Sequence, residues 1–138
     1  LSKADEITPQ ALSIPKNPFF GGRTILLVED EASVREIEVQ MLSAAGYRVL
    51  PAGDAISAEQ LFRWHWFEID LLLTDMIFPG ATGLDLHKKF IKIKPGLKVM
   101  IVSGSLEEDF QLGEDVVFLQ KPYRMTTLIQ KVNDIFER

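Results

Sequence analysis

Five short runs suited to β-strands recur along the chain, and helix-like stretches fill the gaps between them. They are TILLV (24–28), YRVL (47–50), IDLLLT (69–74), KVMIV (98–102) and VVFL (116–119). The first, third and fourth are apolar on both faces, so both faces need cover. Strands of that kind belong in a parallel sheet sandwiched between helices, with right-handed crossovers. The alternation predicts an α/β fold, a doubly wound five-stranded parallel sheet with helices on both faces.

The first helix is read as 33–45. Ser33 and Glu36 have the spacing of a capping box. Val34, Ile37, Met41, Ala44 and Ala45 fall on one face, and Gly46 ends the helix. The second helix, 55–64, turns Ala58, Leu61 and Phe62 inward. The third, 83–93, turns Leu86, Phe90 and Ile93 inward and Lys88, Lys89 and Lys92 outward, and Pro95-Gly96 stop it. The last carries Met125, Leu128, Val132, Ile135 and Phe136.

The 138 residues suit one domain. Residues 1–22 stand apart, because Pro9, Pro15, Pro18 and Gly21-Gly22 break any period there. They are read as a linker or N-terminal arm, with Phe19-Phe20 as an anchor, and 23–138 as the domain. The chain opens on Leu1 rather than Met, as a piece of a longer protein would. Fifteen Lys and Arg against 20 Asp and Glu leave a net charge of −5, which argues against nucleic acid as a partner. The lack of cysteine excludes disulfides and thiolate metal sites and permits a reducing cytoplasm, the expected location. No apolar run reaches the roughly 18 residues of a membrane span, so no membrane contact by this domain is expected.

A parallel sheet brings the carboxyl ends of its strands to one edge, where ligands bind. The first strand delivers Glu29 and Asp30 there, the third Asp75, the fourth Ser103 and the fifth Lys121. Carboxylates gathered in one crevice repel and call for a cation. Oxygen donors without His or Cys suit Mg²⁺, which often bridges to a phosphate. Ser103 and Lys121 are then left to hold phosphoryl oxygens, and Asp75 becomes a nucleophile able to form an acyl phosphate.

LLVEDE (26–31), LLLTDMIFPGATG (71–83), MIVSG (100–104) and FLQKPY (118–123) together resemble the receiver domain of bacterial two-component response regulators. The resemblance implies a flavodoxin-like sheet of order 2-1-3-4-5. It also implies a role for each site position: Asp75 the phosphoacceptor, Asp30 a direct Mg²⁺ ligand, and Glu29 a neighbour acting through water. The backbone carbonyl of Ile77 would reach the metal. Ser103 and Phe118 would be the switch pair, and Lys121 would contact the phosphate ahead of a cis Pro122. IDLLLTD, PGATG and SGS resemble receivers fused to hybrid sensor histidine kinases, so the parent is either such a kinase or a stand-alone regulator. The implied partner is a histidine kinase or histidine phosphotransfer protein, and a homodimer stays open. Departures are Glu29 in place of a commoner Asp, and Phe78 where Met is frequent. Only 17 residues lie between Ser103 and Lys121, which shortens the fourth helix to 106–112.

The expected function is phosphorelay signalling by a Mg²⁺-dependent receiver that is not a turnover enzyme. The rivals are a phosphorylation-independent pseudo-receiver and an aspartyl phosphohydrolase. The second acid that such hydrolases usually carry two residues after the nucleophile is here Ile77. Taken singly, Asp30 reads as a helix cap and Ser103-Gly104 as a turn. Trp64, Trp66 and Phe67 are expected to pack the second helix onto the start of the third strand, with a partner-binding patch as the rival. His65 and His87 are read as surface residues without metal spacing.

Overall fold

The computed structural model describes residues 22–104 and 116–137. β1 (Thr24–Val28), α1 (Ala32–Ala44), β2 (Arg48–Ala52), α2 (Ala55–His65) and β3 (Ile69–Asp75) follow one another. A hairpin of β4 (Ile77–Phe78) and β5 (Ala81–Thr82) leads into α3 (Gly83–Ile93), and then come β6 (Lys98–Ser103), β7 (Val116–Gln120) and α4 (Met125–Glu137). The main sheet is parallel throughout, in the order β2-β1-β3-β6-β7. With the small hairpin set aside, that is the order 2-1-3-4-5. The expected short helix at 106–112 and the arm up to residue 21 lie outside the described residues.

Alternation along each strand divides the core in two. Leu26, Val28, Leu72, Val99 and Ile101 join the side chains of α2 and α3, where the Phe62 and Phe90 rings stack 4.0 Å apart. Ile25, Leu27, Leu71, Leu73, Met100 and Val102 join Leu42 of α1 and Leu128, Val132 and Ile135 of α4. The central strands are therefore buried on both faces, as their sequences require.

Three helix readings are corrected. α1 starts one residue before Ser33, its N-cap is Glu31, and no side chain caps it, so Ser33 and Glu36 form no capping box. The buried residues of α1 are Glu38 and Leu42, while Ile37 and Met41 face outward. In α3, Leu86 and Phe90 are buried but Ile93 is exposed, because the chain turns away at Lys94.

The aromatic cluster after α2 is also corrected. Trp64 is 73% exposed and Phe67 65% exposed, so neither packs α2 onto the start of β3. Polar contacts hold the turn instead. The Lys94 ammonium donates to the carbonyls of Trp66 (3.1 Å) and Ile69 (2.5 Å). Glu68 meets His65 at 2.7 Å and pairs with Arg48. His87 is half-buried, with Nε2 3.1 Å from the carbonyl of Leu97.

Candidate functional site

The register places the strand ends side by side. Val28 is level with Thr74, Asp75 with Val102, and Ser103 with Gln120. The residues next in sequence therefore share one edge. Backbone bonds fix the loops that leave it. Glu29 N–H donates to Ala52 O at 3.0 Å, Met76 N–H to Val102 O at 2.8 Å, and Lys121 N–H to Ser103 O at 2.8 Å. The Lys121-Pro122 peptide is cis.

Asp75 sits at the bottom of this edge, 6% exposed, with Glu29 and Ser103 also buried and Asp30 exposed. One carboxylate oxygen from each of Glu29, Asp30 and Asp75 can be chosen so that all lie within 4.8 Å of one another. Lys121 Nζ stands 3.4 Å from Asp75 Oδ1. An open cleft of about 270 Å³ leads down to Asp75 between Met76, Ile77, Val102, Ser103 and Lys121. Ile77 is 75% exposed at its rim. Phe118 lies on β7, half-buried against the core on the α2 and α3 side. The site residues expected from sequence thus gather at one sheet edge, with Phe118 set back from it along β7, level with Ile101.

Burial pushes the Asp75 carboxyl up to about 7, and the Glu29 charge adds to the rise, while Lys121 pulls the other way. Lys121 alone leaves this acid under-compensated. The donor set is hard and oxygen-only, with one carboxylate open to water. Those features fit a Mg²⁺ ion that keeps part of its hydration. Glu29, Asp30 and Asp75 are the residues that could hold it.

Sequence reasoning missed two supports. Gly83 packs its α-carbon directly on the backbone carbonyl of Asp75 and the side chain of Thr74, and its N–H donates to Met76 O at 2.7 Å. Glu38 is buried inside α1 and accepts a hydrogen bond from the Tyr123 hydroxyl. Burial raises the Glu38 carboxyl above the usual range, against the pull of the Tyr123 bond. The signal for Gly83 was present in the PGATG stretch, which places a glycine at a helix start where Thr82 already caps. No local signal marked Glu38.

Comparison with known proteins agrees with this architecture. Residues 25–133 match the family model of the response regulator receiver domain. The chain is 33% identical over 122 residues to the sensor kinase CckA of Brucella abortus, a match covering 86% of this chain and 13% of that protein. It is 32% identical over 114 residues to the response regulator receiver protein CpdR of the same organism, covering 80% of this chain and 93% of that protein. Among solved structures, the receiver domain from the hybrid histidine kinase CckA aligns with TM-score 0.72 and 36% identity, over 82% of this chain and 98% of that one. A receiver domain protein from Clostridium thermocellum aligns with TM-score 0.76 and 27% identity, over 83% and 94% of the respective chains. A match of that extent, on a sheet of that order, makes the chain a member of the response regulator receiver domain family of two-component systems.

Proposed function

We propose that this domain accepts a phosphoryl group from a phosphohistidine onto Asp75, in a Mg²⁺-dependent step, and passes the signal on by a change of conformation. The observation that carries the reading is the Asp75 carboxylate, buried beside Glu29 and Asp30 with the Lys121 ammonium 3.4 Å away. In the transfer, the N–P bond of the donor breaks, an O–P bond to Asp75 forms, and the imidazole leaves with the bonding electron pair. Bound Mg²⁺ would supply the positive charge that relieves repulsion among the carboxylates and the incoming phosphoryl oxygens. Lys121 favours the ionised form of Asp75 against its burial, and then turns to a phosphoryl oxygen. Ser103, which lines the same cleft, offers a hydroxyl to another. Phe118 follows Ser103 inward, which shifts the population of two arrangements rather than the fold. A protein donor also fits α1, which begins beside Asp30 and exposes Ile37 and Met41. The donor would be a histidine kinase or a histidine phosphotransfer protein.

Incubation with acetyl phosphate and Mg²⁺, followed by intact-mass and peptide analysis, tests the reading. One phosphoryl group per chain on Asp75, absent from Asp75→Ala and absent without Mg²⁺, is the expected result. No labelling would support a phosphorylation-independent binding module, and steady release of phosphate over many turnovers would support a hydrolase.

A further inference from the structure

α1 carries two side chains one turn apart that reach two different loops of the site. Arg35 donates from Nη1 to the backbone carbonyl of Glu29 at 2.7 Å, which fixes the loop of the acidic pair. Glu38 accepts from the hydroxyl of Tyr123, two residues beyond Lys121. Glu38 is 2% exposed and borders the same small void as Glu29, Thr74 and Asp75, directly behind the acid that faces the cleft. An apolar side chain would fill that position at less cost than a buried carboxylate, so stability alone does not account for the pair.

We propose that Glu38 and Tyr123 form a positioning pair, whose hydrogen bond sets the Lys121 loop where its ammonium meets both Asp75 and an arriving phosphoryl group. The proposal rests on the reading of Asp75 as phosphoacceptor. Lysine has a long flexible stem, so its aim depends on where its backbone is held. One hold is the bond from Lys121 N–H to Ser103 O. That bond tethers the loop to β6 only. The Tyr123 hydroxyl ties the other side of the loop to α1, the helix that already holds Glu29. One helical turn thus sets the distance between the acid loop and the lysine loop. Phosphoryl transfer depends on such placement more than on covalent assistance, and a shift of about 1 Å can cost about 100-fold in rate.

The test compares wild type with Tyr123→Phe, Glu38→Gln, Glu38→Leu and the double variant Glu38→Leu/Tyr123→Phe. Two quantities are read on each protein: the rate constant of labelling at saturating acetyl phosphate, and the Mg²⁺ dissociation constant by calorimetry. Tyr123→Phe and Glu38→Leu are expected to slow labelling by about 10- to 100-fold, with Mg²⁺ affinity within about twofold of wild type. Glu38→Gln keeps an amide oxygen for the Tyr123 hydroxyl and is expected to stay within about threefold of the wild-type rate. The double variant leaves no buried polar group unpaired, so it folds and still labels slowly. Labelling at the wild-type rate in the double variant or in Tyr123→Phe would overturn the proposal. So would a Glu38→Gln rate as slow as that of Glu38→Leu, or Mg²⁺ affinity falling in step with rate. An unlabelled wild type would overturn the reading of Asp75 and the proposal with it. A labelled wild type with equally fast variants overturns the positioning role alone.

Discussion

A methyl group on Gly83 would stand 2.5 Å from the carbonyl oxygen of Asp75 and 2.7 Å from Cγ2 of Thr74. The start of α3 is thus seated on the very residues that carry the site, with room for a hydrogen atom and nothing larger. Gly83→Ala must push the two segments apart, and the expected cost is about 1–3 kcal/mol of unfolding free energy. Gly80 is the internal control. Its φ of +89° calls for glycine, but open space surrounds it. Gly80→Ala therefore costs only the backbone strain, about 1 kcal/mol. Urea titration of both variants measures the difference. Equal losses would show that the loop before α3 yields without strain.

The metal-free protein should lose stability as pH rises. The folded Asp75 carboxyl titrates near 7, above its ordinary value of 3.8, so between those two values the folded state holds more of the proton than the unfolded state does. Stability from this group is full below the lower value and is lost as pH climbs through the upper one. Asp75→Asn removes the buried charge. In the absence of Mg²⁺ it should stabilise the domain by on the order of 2 kcal/mol at pH 8, and by much less at pH 5. Thermal melts of both proteins at the two pH values, with and without Mg²⁺, check the sign. A gain that is independent of pH would assign it to packing rather than to charge.

Ile77 should shield a phosphoryl group from water. Its side chain stands exposed on the rim of the cleft and offers no donor or acceptor to align an attacking water. Ile77→Asn is expected to speed loss of the label severalfold, while Mg²⁺ affinity holds. Decay is followed on purified, labelled protein after the phosphodonor is removed. A rate equal to or below that of wild type would mean that water reaches the phosphorus by another path.

Residues 23–138 are proposed to hold the folding unit, and 1–22 to be dispensable to it. The first strand begins at Thr24, whose N–H is already satisfied by Asp70 Oδ2 at 2.9 Å. A truncated chain that starts at Arg23 is expected to melt within a degree or two of the full chain, roughly the spread of changes that touch no buried group. A loss of several degrees would place Phe19 and Phe20 among the residues that stabilise the domain.

Asp30, Asp75, Ser103 and Lys121 were legible because a parallel sheet converts sequence position into place. A polar residue at the end of an apolar run has to arrive at the same edge as its counterparts. The hairpin between β3 and α3 was not legible, because its strands have two residues each and carry no period. α1 misled for a different reason. Counting apolar residues put Ile37 and Met41 inside, whereas the chain buries Glu38 and exposes both. The partner that makes Glu38 tolerable lies 85 residues away, beyond the reach of any local pattern. The tail of α2 likewise concealed its solution. Lys94 and Glu68 secure the turn through backbone oxygens and charge, which leaves the aromatic rings outside.

That turn makes the protein's own light emission a selective reporter. Both tryptophans, Trp64 and Trp66, sit ahead of the first residue of β3, and Asp75 is its last. A strand of seven residues separates the two ends by about 20 Å. Indole emission should therefore stay constant when a divalent cation or a phosphoryl group arrives at the acid cluster. Calorimetry and mass analysis, not tryptophan fluorescence, are the channels that see the site. A spectral shift on mixing with another macromolecule would instead locate the contact at the opposite pole of the sheet.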